Sequence, residues 1–180
     1  MRTEPKFVRT TVLVVRLGGK VVLASDGQVT LDKAVVKGSA SKVRSLGDGT
    51  VLAGFAGGAA DAFALLTRFE EKLSAHGGRL ERAAVELVRE WRTDRALRQL
   101  QAMLLVADRE KTLLLSGTGD LIEPDDGIIG IGSGSVPAMA AARALVAHTS
   151  MNAREVVEAA MGIAASIDIY TNNHLTIEEI

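Results

Sequence analysis

The sequence predicts an α+β fold, in which antiparallel strands and paired helices form separate layers. Apolar runs with strand character come in pairs joined by glycine-containing turns, at Gly18-Gly19 and at Asp48-Gly49. Segments with helical periodicity also come in pairs, between groups of strands. In a parallel sheet, single helices would instead alternate with single strands. Two sheets covered on their outer faces by helix pairs would explain why the strands are almost continuously apolar.

The first half of the chain predicts two hairpins followed by two helices. Residues 10–28 form two strands around the first glycine pair, and residues 42–56 repeat the pattern. Apolar residues then recur at helical spacing, with Phe63 on the same face as later core residues, so a helix is expected over residues 59–75. A second helix is expected over residues 80–99, with Trp91 on its apolar face.

The second half repeats this order. Residues 102–124 predict two strands around a turn at residues 108–111, and residues 127–134 predict a further strand that ends in glycines. The alanine-rich residues 137–149 predict a helix suited to close packing on a neighbour. The last helix is expected over residues 152–167, with a capping box at its start, and residues 174–180 could close the chain as an edge strand.

Composition excludes several classes of function. The 180 residues are 47% hydrophobic and 24% charged, with a net charge of −1, which gives no reason to expect a nucleic-acid or membrane partner. Cysteine is absent and the three histidines are scattered, so no thiol nucleophile or zinc motif is expected. No apolar run reaches the ~18 residues of a membrane span, and the N-terminus lacks a signal sequence. We therefore expect a cytoplasmic, single-domain protein.

Thr10 is the first candidate for chemistry, because it begins the first strand behind a short N-terminal tail. If the Arg9–Thr10 bond were cut, the hydroxyl would lie beside a free α-amine with a pKa of about 8. That amine could accept the hydroxyl proton, so one residue would supply both nucleophile and base. By itself, however, the residue also fits an ordinary strand threonine.

Other candidates follow along the chain. Lys42 could keep the surroundings of the nucleophile positive, and Asp26 could pair with it, although turn and surface roles fit both residues equally well. Gly57 and Gly58 precede a helix, where free N–H groups could face an oxyanion or simply begin the helix. Ser133 lies between glycines that lack the spacing of a nucleotide-binding loop, so it could instead reach a neighbouring active-site group.

Taken together, these segments resemble the HslV (ClpQ) family of threonine peptidases, relatives of proteasome β subunits. The resemblance extends from residue 10 to residue 180 and rests on six motifs in order: TTVLVVRLGGKVVLASDGQVTL, KGSASKVRSL, AGFAGGAADAF, EWRTDRALRQLQAMLLVAD, IGSG and IYTNNHLTIEEI. It implies the four-layer αββα sandwich of N-terminal-nucleophile hydrolases. It also implies that Thr10 is the nucleophile, Asp26 and Lys42 its charged partners, Ser133 the active-site serine and Gly57 the oxyanion donor.

The same resemblance implies partners and a cation. Members of the family form two stacked hexameric rings, which are activated by the HslU (ClpY) ATPase hexamer that unfolds protein substrates. The family also binds a monovalent cation, usually sodium, through backbone carbonyls, which by position would be those of Ala165, Asp168 and Thr171. Glycine and cysteine are common at the first two positions, so this chain departs from the family there. No organic cofactor is implied.

The N-terminal tail is a further departure, because many family members begin directly at Met-Thr-Thr. Residues 1–9 are therefore expected to be a leader that is removed, leaving residues 10–180 as the peptidase domain. Two alternatives remain open at this point. The chain could be a stand-alone proteasome-like peptidase, or a non-catalytic ring subunit that keeps its tail.

Overall fold

The protein is built on two antiparallel sheets, and a computed structural model describes residues 10–100 and 102–180 of it. The predicted leader, residues 1–9, lies outside the described residues. In chain order the elements are β1 (Thr11–Leu17), β2 (Lys20–Asp26), β3 (Val29–Leu31), β4 (Ala34–Lys37), β5 (Val43–Leu46), β6 (Val51–Gly57), α1 (Ala59–Ala75), α2 (Leu80–Thr93), a 3-10 helix (Leu97–Gln99), β7 (Ala102–Ala107), β8 (Thr112–Ser116), β9 (Leu121–Ile122), β10 (Ile128–Gly132), α3 (Ser135–His148), α4 (Ala153–Ile167) and β11 (Leu175–Glu179).

The elements stack as four layers, so the predicted αββα sandwich is confirmed. The first sheet has the strand order β10-β1-β2-β11, and α3 and α4 cover its outer face. The second has the order β5-β6-β7-β8-β9, and α1 and α2 cover its outer face. A third apolar cluster, which includes Val12, Leu23, Leu52 and Leu105, joins the inner faces of the two sheets. Strands buried on both faces explain the nearly continuous apolar runs in the sequence.

The predicted hairpins and the last helix cap form as expected. Gly18 and Gly19 have φ values of 60° and 77°, which a two-residue hairpin turn with two left-handed positions requires. At the start of α4, the Asn152 side chain accepts the N–H of Glu155, whose carboxylate accepts the Asn152 N–H in return. Strand β11 lies at the edge of its sheet, beside β2.

Helix α2 is shorter than the sequence predicts. It ends at Thr93 rather than near residue 99, because the backbone of Asp94 is extended. The Asp94 side chain accepts the N–H groups of Ala96 and Leu97, so local side-chain bonds replace the next helical turn. A short 3-10 helix follows, which keeps Leu97 in the core.

One further expectation is wrong in detail. Phe63 in α1 does not share the buried face of its helix, since 47% of it is exposed. In α3, the alanines expected to pack closely on a neighbour are partly used within the chain itself. Ala138 and Ala142 are fully buried against the first sheet, whereas Ala140 and Ala144 are exposed.

The hairpin of β3 and β4 has no counterpart in the sequence-based prediction. Its outer strand is exposed along its whole length, so it lacks the apolar alternation that signals a strand. In sequence, the hairpin lies between Asp26 and Lys42. In the structure, it lines one side of the site described below. Within residues 10–100 and 102–180, no helix is long and apolar enough to cross a membrane.

Candidate active site

Thr10 lies directly before β1, where it is 95% buried. Its hydroxyl donates to Oδ1 of Asp26 over 2.8 Å. Its carbonyl accepts the N–H of Ser133 over 2.8 Å, which ties the residue to the loop after β10. Thr10 is thus held from both ends, with its hydroxyl facing the charged residues of the site.

Asp26 ends β2 and is fully buried, yet both of its carboxylate oxygens have donors. Oδ1 accepts from the Thr10 hydroxyl, from the Thr11 N–H and from the Lys42 ammonium, each over 2.8 Å. Oδ2 accepts the N–H of Gln28 over 2.8 Å. Four donors, one of them cationic, therefore satisfy this buried carboxylate.

Lys42 approaches the same carboxylate from the segment just before β5. Its Nζ donates to Asp26 Oδ1 over 2.8 Å and to the carbonyl of Gln28 over 2.7 Å. Burial lowers the pKa of Lys42 below its ordinary value of 10.5, and the Asp26 carboxylate opposes that shift. The structure therefore brings together Thr10, Asp26 and Lys42, which the sequence separates by up to 32 residues (42 − 10).

Ser133 faces the site through its backbone, while its hydroxyl belongs to a second set of hydrogen bonds. The hydroxyl donates to Oδ2 of Asp168 over 2.7 Å, and the Thr171 hydroxyl donates to the same oxygen over 2.6 Å. The Thr171 and Thr11 hydroxyls lie 2.6 Å apart. These hydrogen-bonded hydroxyls and the Asp168 carboxylate connect the end of β10 to the start of β1, next to Thr10.

Glycines allow the loop after β10 to pass close to Thr10. A Cβ on Gly132, whose φ is 93°, would overlap the carbonyl of Thr10. A Cβ on Gly134 would overlap the Thr11 hydroxyl, which the Gly134 N–H contacts over 3.0 Å. The glycines of the IGSG motif thus serve close backbone approach rather than phosphate binding.

A cavity of about 360 Å³ opens beside Thr10. Its wall is mainly apolar, and no acidic side chain lines it among the described residues. Arg44 stacks its guanidinium over the Phe63 ring, 5.3 Å from the ring centroid, which explains why Phe63 is not in the core. The lining residues are Thr10, Gln28, Val29, Thr30, Lys37, Ala40, Ser41, Lys42, Arg44, Phe55, Gly57 and Phe63.

Gly57 is placed at the junction of β6 and α1, on the wall of this cavity. Its φ is 134°, a value that favours glycine. Gly57 and Thr10 therefore line the same cavity. The arrangement offers a hydroxyl, a buried ion pair and a cavity able to receive a side chain.

The residues expected to bind a cation lie at the end of α4. Ala165 is in the last helical turn, where carbonyl groups lack helical partners, and Asp168 follows the helix. The Asp168 carbonyl accepts the N–H of Thr171 over 3.1 Å, so these two residues form one turn. Oxygen ligands of this kind fit a hard cation. Within residues 10–100 and 102–180, no three His, Cys, Asp or Glu side chains converge into a metal site.

Sequence reasoning missed the residues that connect the site. Gln28 accepts from Lys42 and donates through its side chain to the carbonyl of Ile169. Thr11 and the side chain of Asp168 extend the Ser133 hydrogen bonds, and Asn172 joins three loops. Three of these contacts span more than a hundred residues of sequence, so the sequence alone does not show them: Gln28 with Ile169, Thr11 with Thr171, and Asn172 with Gly27.

The layered fold and the buried threonine, carboxylate and lysine define an N-terminal-nucleophile type of hydrolase sandwich. A family model described as "Proteasome subunit" matches residues 8–180, and the chain therefore belongs to the proteasome family. Within that family it is similar to proteins named ATP-dependent protease subunit HslV. The relative from Chlorobium luteolum is 57% identical over 177 residues, covering 98% of this chain and 97% of the relative.

Two further similarities agree with this placement. The HslV protein of an Anaeromyxobacter species is 61% identical over 178 residues, covering 97% of this chain and 98% of the relative. The crystal structure of eukaryotic HslV from Trypanosoma brucei superposes with a TM-score of 0.90 at 48% identity, covering 94% of this chain and 98% of the other. These similarities favour neither a stand-alone peptidase nor a non-catalytic subunit.

Proposed function

We propose that this chain is the peptidase subunit of an ATP-dependent protease complex, and that Thr10 is its nucleophile. One observation carries the proposal: the Thr10 hydroxyl and the Lys42 ammonium share one oxygen of the buried Asp26 carboxylate. The dependence on ATP rests on relatives that are named ATP-dependent protease subunit HslV. The chain is thus a threonine-type endopeptidase that works with a separate ATPase.

Removal of residues 1–9 is the first step of the proposal. In the intact chain, the nitrogen of Thr10 belongs to the peptide bond with Arg9 and has no basic lone pair. We propose that the Thr10 hydroxyl attacks the Arg9 carbonyl, which breaks the C–N bond and leaves an ester and a free amine. Water then hydrolyses the ester, which releases the leader with a carboxylate end and restores the hydroxyl.

Peptide hydrolysis follows the same chemistry on a substrate. The α-amine of Thr10 accepts the hydroxyl proton while Oγ1 attacks the scissile carbonyl carbon. The tetrahedral oxyanion is stabilised by the N–H at Gly57, and its collapse breaks the substrate C–N bond as the α-ammonium returns a proton to the leaving amine. Water then attacks the ester, which gives a free carboxylate and regenerates Thr10.

Lys42 and Asp26 set the electrostatics of these steps. The ammonium lies on the carboxylate oxygen that also receives the Thr10 hydroxyl, so its positive charge is close to the developing alkoxide. Positive charge there stabilises an ionised hydroxyl and lowers the pKa of the neighbouring amine. Asp26 holds the lysine in place and compensates for its burial.

Ser133 would orient the mature N-terminus. Its N–H holds the Thr10 carbonyl, and its hydroxyl is fixed by Asp168 on the side facing the start of β1. Once the leader is removed, a contact between this hydroxyl oxygen and the new α-amine would hold the amine in place. Ser133 is therefore a positioning residue for the base.

A sodium ion at the end of α4 is part of the proposal. The carbonyl oxygens of Ala165, Asp168 and Thr171 would hold it, and glycine or cysteine is not required because the ligands are backbone atoms. A cation there would brace the turn whose Asp168 side chain anchors Ser133. Its contribution is structural, and no catalytic step passes through it.

The proposed complex contains two stacked hexameric rings of this chain together with the HslU ATPase, which supplies unfolded protein substrates. Exposed apolar side chains on and after α4 are candidates for contacts between copies, since Ile163, Ile167 and Ile169 are 43%, 63% and 77% exposed. A cytoplasmic location fits this role and remains a prediction.

The test is degradation of a folded protein with HslU and ATP, with hydrolysis of a short peptide measured in parallel. Wild-type protein should degrade the folded substrate only when HslU and ATP are present. Thr10→Ala should assemble but hydrolyse neither substrate, and Thr10→Ser should keep part of the activity because the hydroxyl and amine survive. Full activity of Thr10→Ala, or degradation without HslU, would contradict the proposal.

A further inference from the structure

Asn172 joins the two loops that carry Asp26 and Lys42. Its Oδ1 accepts the N–H of Gly27 over 3.0 Å and the N–H of His174 over 3.1 Å. Its Nδ2 donates to the carbonyl of Gly38 over 2.9 Å. Two N–H groups face one end of the amide and a carbonyl faces the other, so an amide side chain satisfies all three partners in one orientation.

Gly27 directly follows Asp26, and Gly38 belongs to the loop that leads to Lys42. The two loops are in contact, because a Cβ on Gly27 would lie 2.5 Å from the Gly38 carbonyl oxygen. One further bond closes the junction, in which the Ala40 N–H donates to the Gly27 carbonyl over 2.9 Å. Three hydrogen bonds therefore join the loops at Gly27, Gly38 and Ala40, and two of them come from Asn172.

The same junction fixes the ion pair at the nucleophile. Gly27, which Asn172 contacts, directly follows Asp26, whose carboxylate binds Thr10, and three residues separate Gly38 from Lys42. Asn172 itself reaches neither Thr10 nor the cavity beside it. Its effect on the site must therefore pass through the backbone of the two loops.

We infer that Asn172 is a positioning residue, which sets the distance between Asp26 and Lys42 and thereby the reactivity of Thr10. The inference rests on the proposed function, since it assigns a role within the same reaction. Loss of the amide would let the Gly38 loop move away from Gly27 and carry Lys42 with it. Displacement of a catalytic group by about 1 Å can lower the rate by about a hundredfold.

The experiment compares Asn172→Ala with Asn173→Ala in the assembled, mature protein. Asn173 is the matched control, because it is exposed and its side chain makes no hydrogen bond to the described residues. Turnover of a short peptide is measured per intact site, with sites counted by titration with a peptide boronate that bonds to the Thr10 hydroxyl. Counting sites separates a slower site from a smaller number of folded ones.

Asn172→Ala should lower kcat per titrated site by about tenfold to a hundredfold. KM should change less than kcat, because Val29, Phe55 and Phe63 of the cavity lining lie outside the loop that moves. Asn173→Ala should match wild type in both constants. An unchanged kcat per site in Asn172→Ala, or a change confined to KM, would overturn the inference.

A second variant covers the case in which Asn172→Ala does not assemble. Asn172→Asp keeps the shape and the acceptor toward Gly27 but loses the donor toward Gly38. It should therefore reproduce the loss of kcat, and wild-type turnover in this variant would refute the positioning role. If wild-type protein itself failed to hydrolyse the peptide, the proposed function would fail instead, so the two failures are distinguishable.

Discussion

The Lys42 ammonium lies 2.8 Å from Oδ1 of Asp26, the oxygen that also accepts the Thr10 hydroxyl. Both ion-pair partners are buried, with side-chain exposures of 8% and 0%. A buried pair of this kind contributes little net stability but is costly to break from one side. Its position at the Thr10 hydroxyl therefore favours a role in chemistry rather than in folding.

Replacing Lys42 should separate its effect on catalysis from its effect on stability. Lys42→Ala should reduce kcat by a few orders of magnitude, since a positioned electrostatic group is worth roughly 3–4 kcal/mol in the transition state. Lys42→Arg should not restore activity, because a planar guanidinium cannot occupy the place of a compact ammonium. Peptide turnover is the measurement, with Lys20→Ala as control at the exposed end of β2.

An active Lys42→Arg enzyme would show that this position supplies only bulk positive charge. Loss of activity in Lys20→Ala would show that the assay responds to surface charge rather than to the site. Lys42→Ala is also expected to lower thermal stability, because Asp26 would be left as an uncompensated buried carboxylate.

The lowered pKa of Lys42 gives a prediction for pH dependence. As pH rises, this lysine loses its proton before an ordinary lysine does. The decline of kcat at alkaline pH should therefore have its midpoint below pH 10.5. Because the folded state releases this proton before the unfolded state, Lys42 itself favours folding increasingly as pH rises through that window. Activity should therefore decline before the fold does.

The measurement is a pH profile of kcat, with circular dichroism recorded on the same samples. A decline of kcat at the same pH as unfolding would contradict the assignment to Lys42. A decline centred at or above the ordinary pKa of lysine would contradict it as well. Lys20→Met should leave the decline in place, since that side chain is far from the ion pair and exposed.

Close packing of the loop after β10 predicts the effect of a single methyl group. Gly132→Ala should destabilise the protein by roughly 1–3 kcal/mol through its left-handed backbone alone, with added overlap on the Thr10 carbonyl. The control is Gly162→Ala in α4, where nothing lies within 4 Å of the new Cβ. That variant should stabilise the helix by roughly 0.5–1 kcal/mol.

Thermal unfolding of the two variants checks this prediction. Equal stability of Gly132→Ala and wild type would mean that the loop after β10 is free to move away from Thr10. In that case the hydrogen bond from the Ser133 N–H to the Thr10 carbonyl would not hold Thr10 in place.

Periodicity and turn residues were enough to predict most of the fold. The features predicted correctly depend on neighbours within a few residues. They are the strand pair around Gly18-Gly19, the extent of α1 and the capping box at Asn152. The end of α2 and the β3–β4 hairpin could not be predicted in this way. The first depends on the conformation of Asp94, and the second is too exposed to show an apolar pattern.

The candidate site also contains residues that the sequence could predict and residues that it could not. Thr10, Asp26 and Lys42 were candidates because their chemistry stands out, although each also fitted an ordinary structural role. Asn172 lies in a motif that carried the family resemblance, but its role and that of the Asp168 carboxylate gave no signal, since Gly38 and Ser133 lie 134 and 35 residues away in sequence. Residues that act only by positioning others become visible when tertiary contacts are known.

The central claim is that Thr10 becomes the first residue of the working enzyme. Intact mass of the purified, active protein tests it most directly. The mass should correspond to a chain that begins at Thr10, and Thr10→Ala should retain residues 1–9 because its hydroxyl is needed for the cleavage. A protein that retains residues 1–9 and hydrolyses peptides as fast as the cleaved form would contradict the claim.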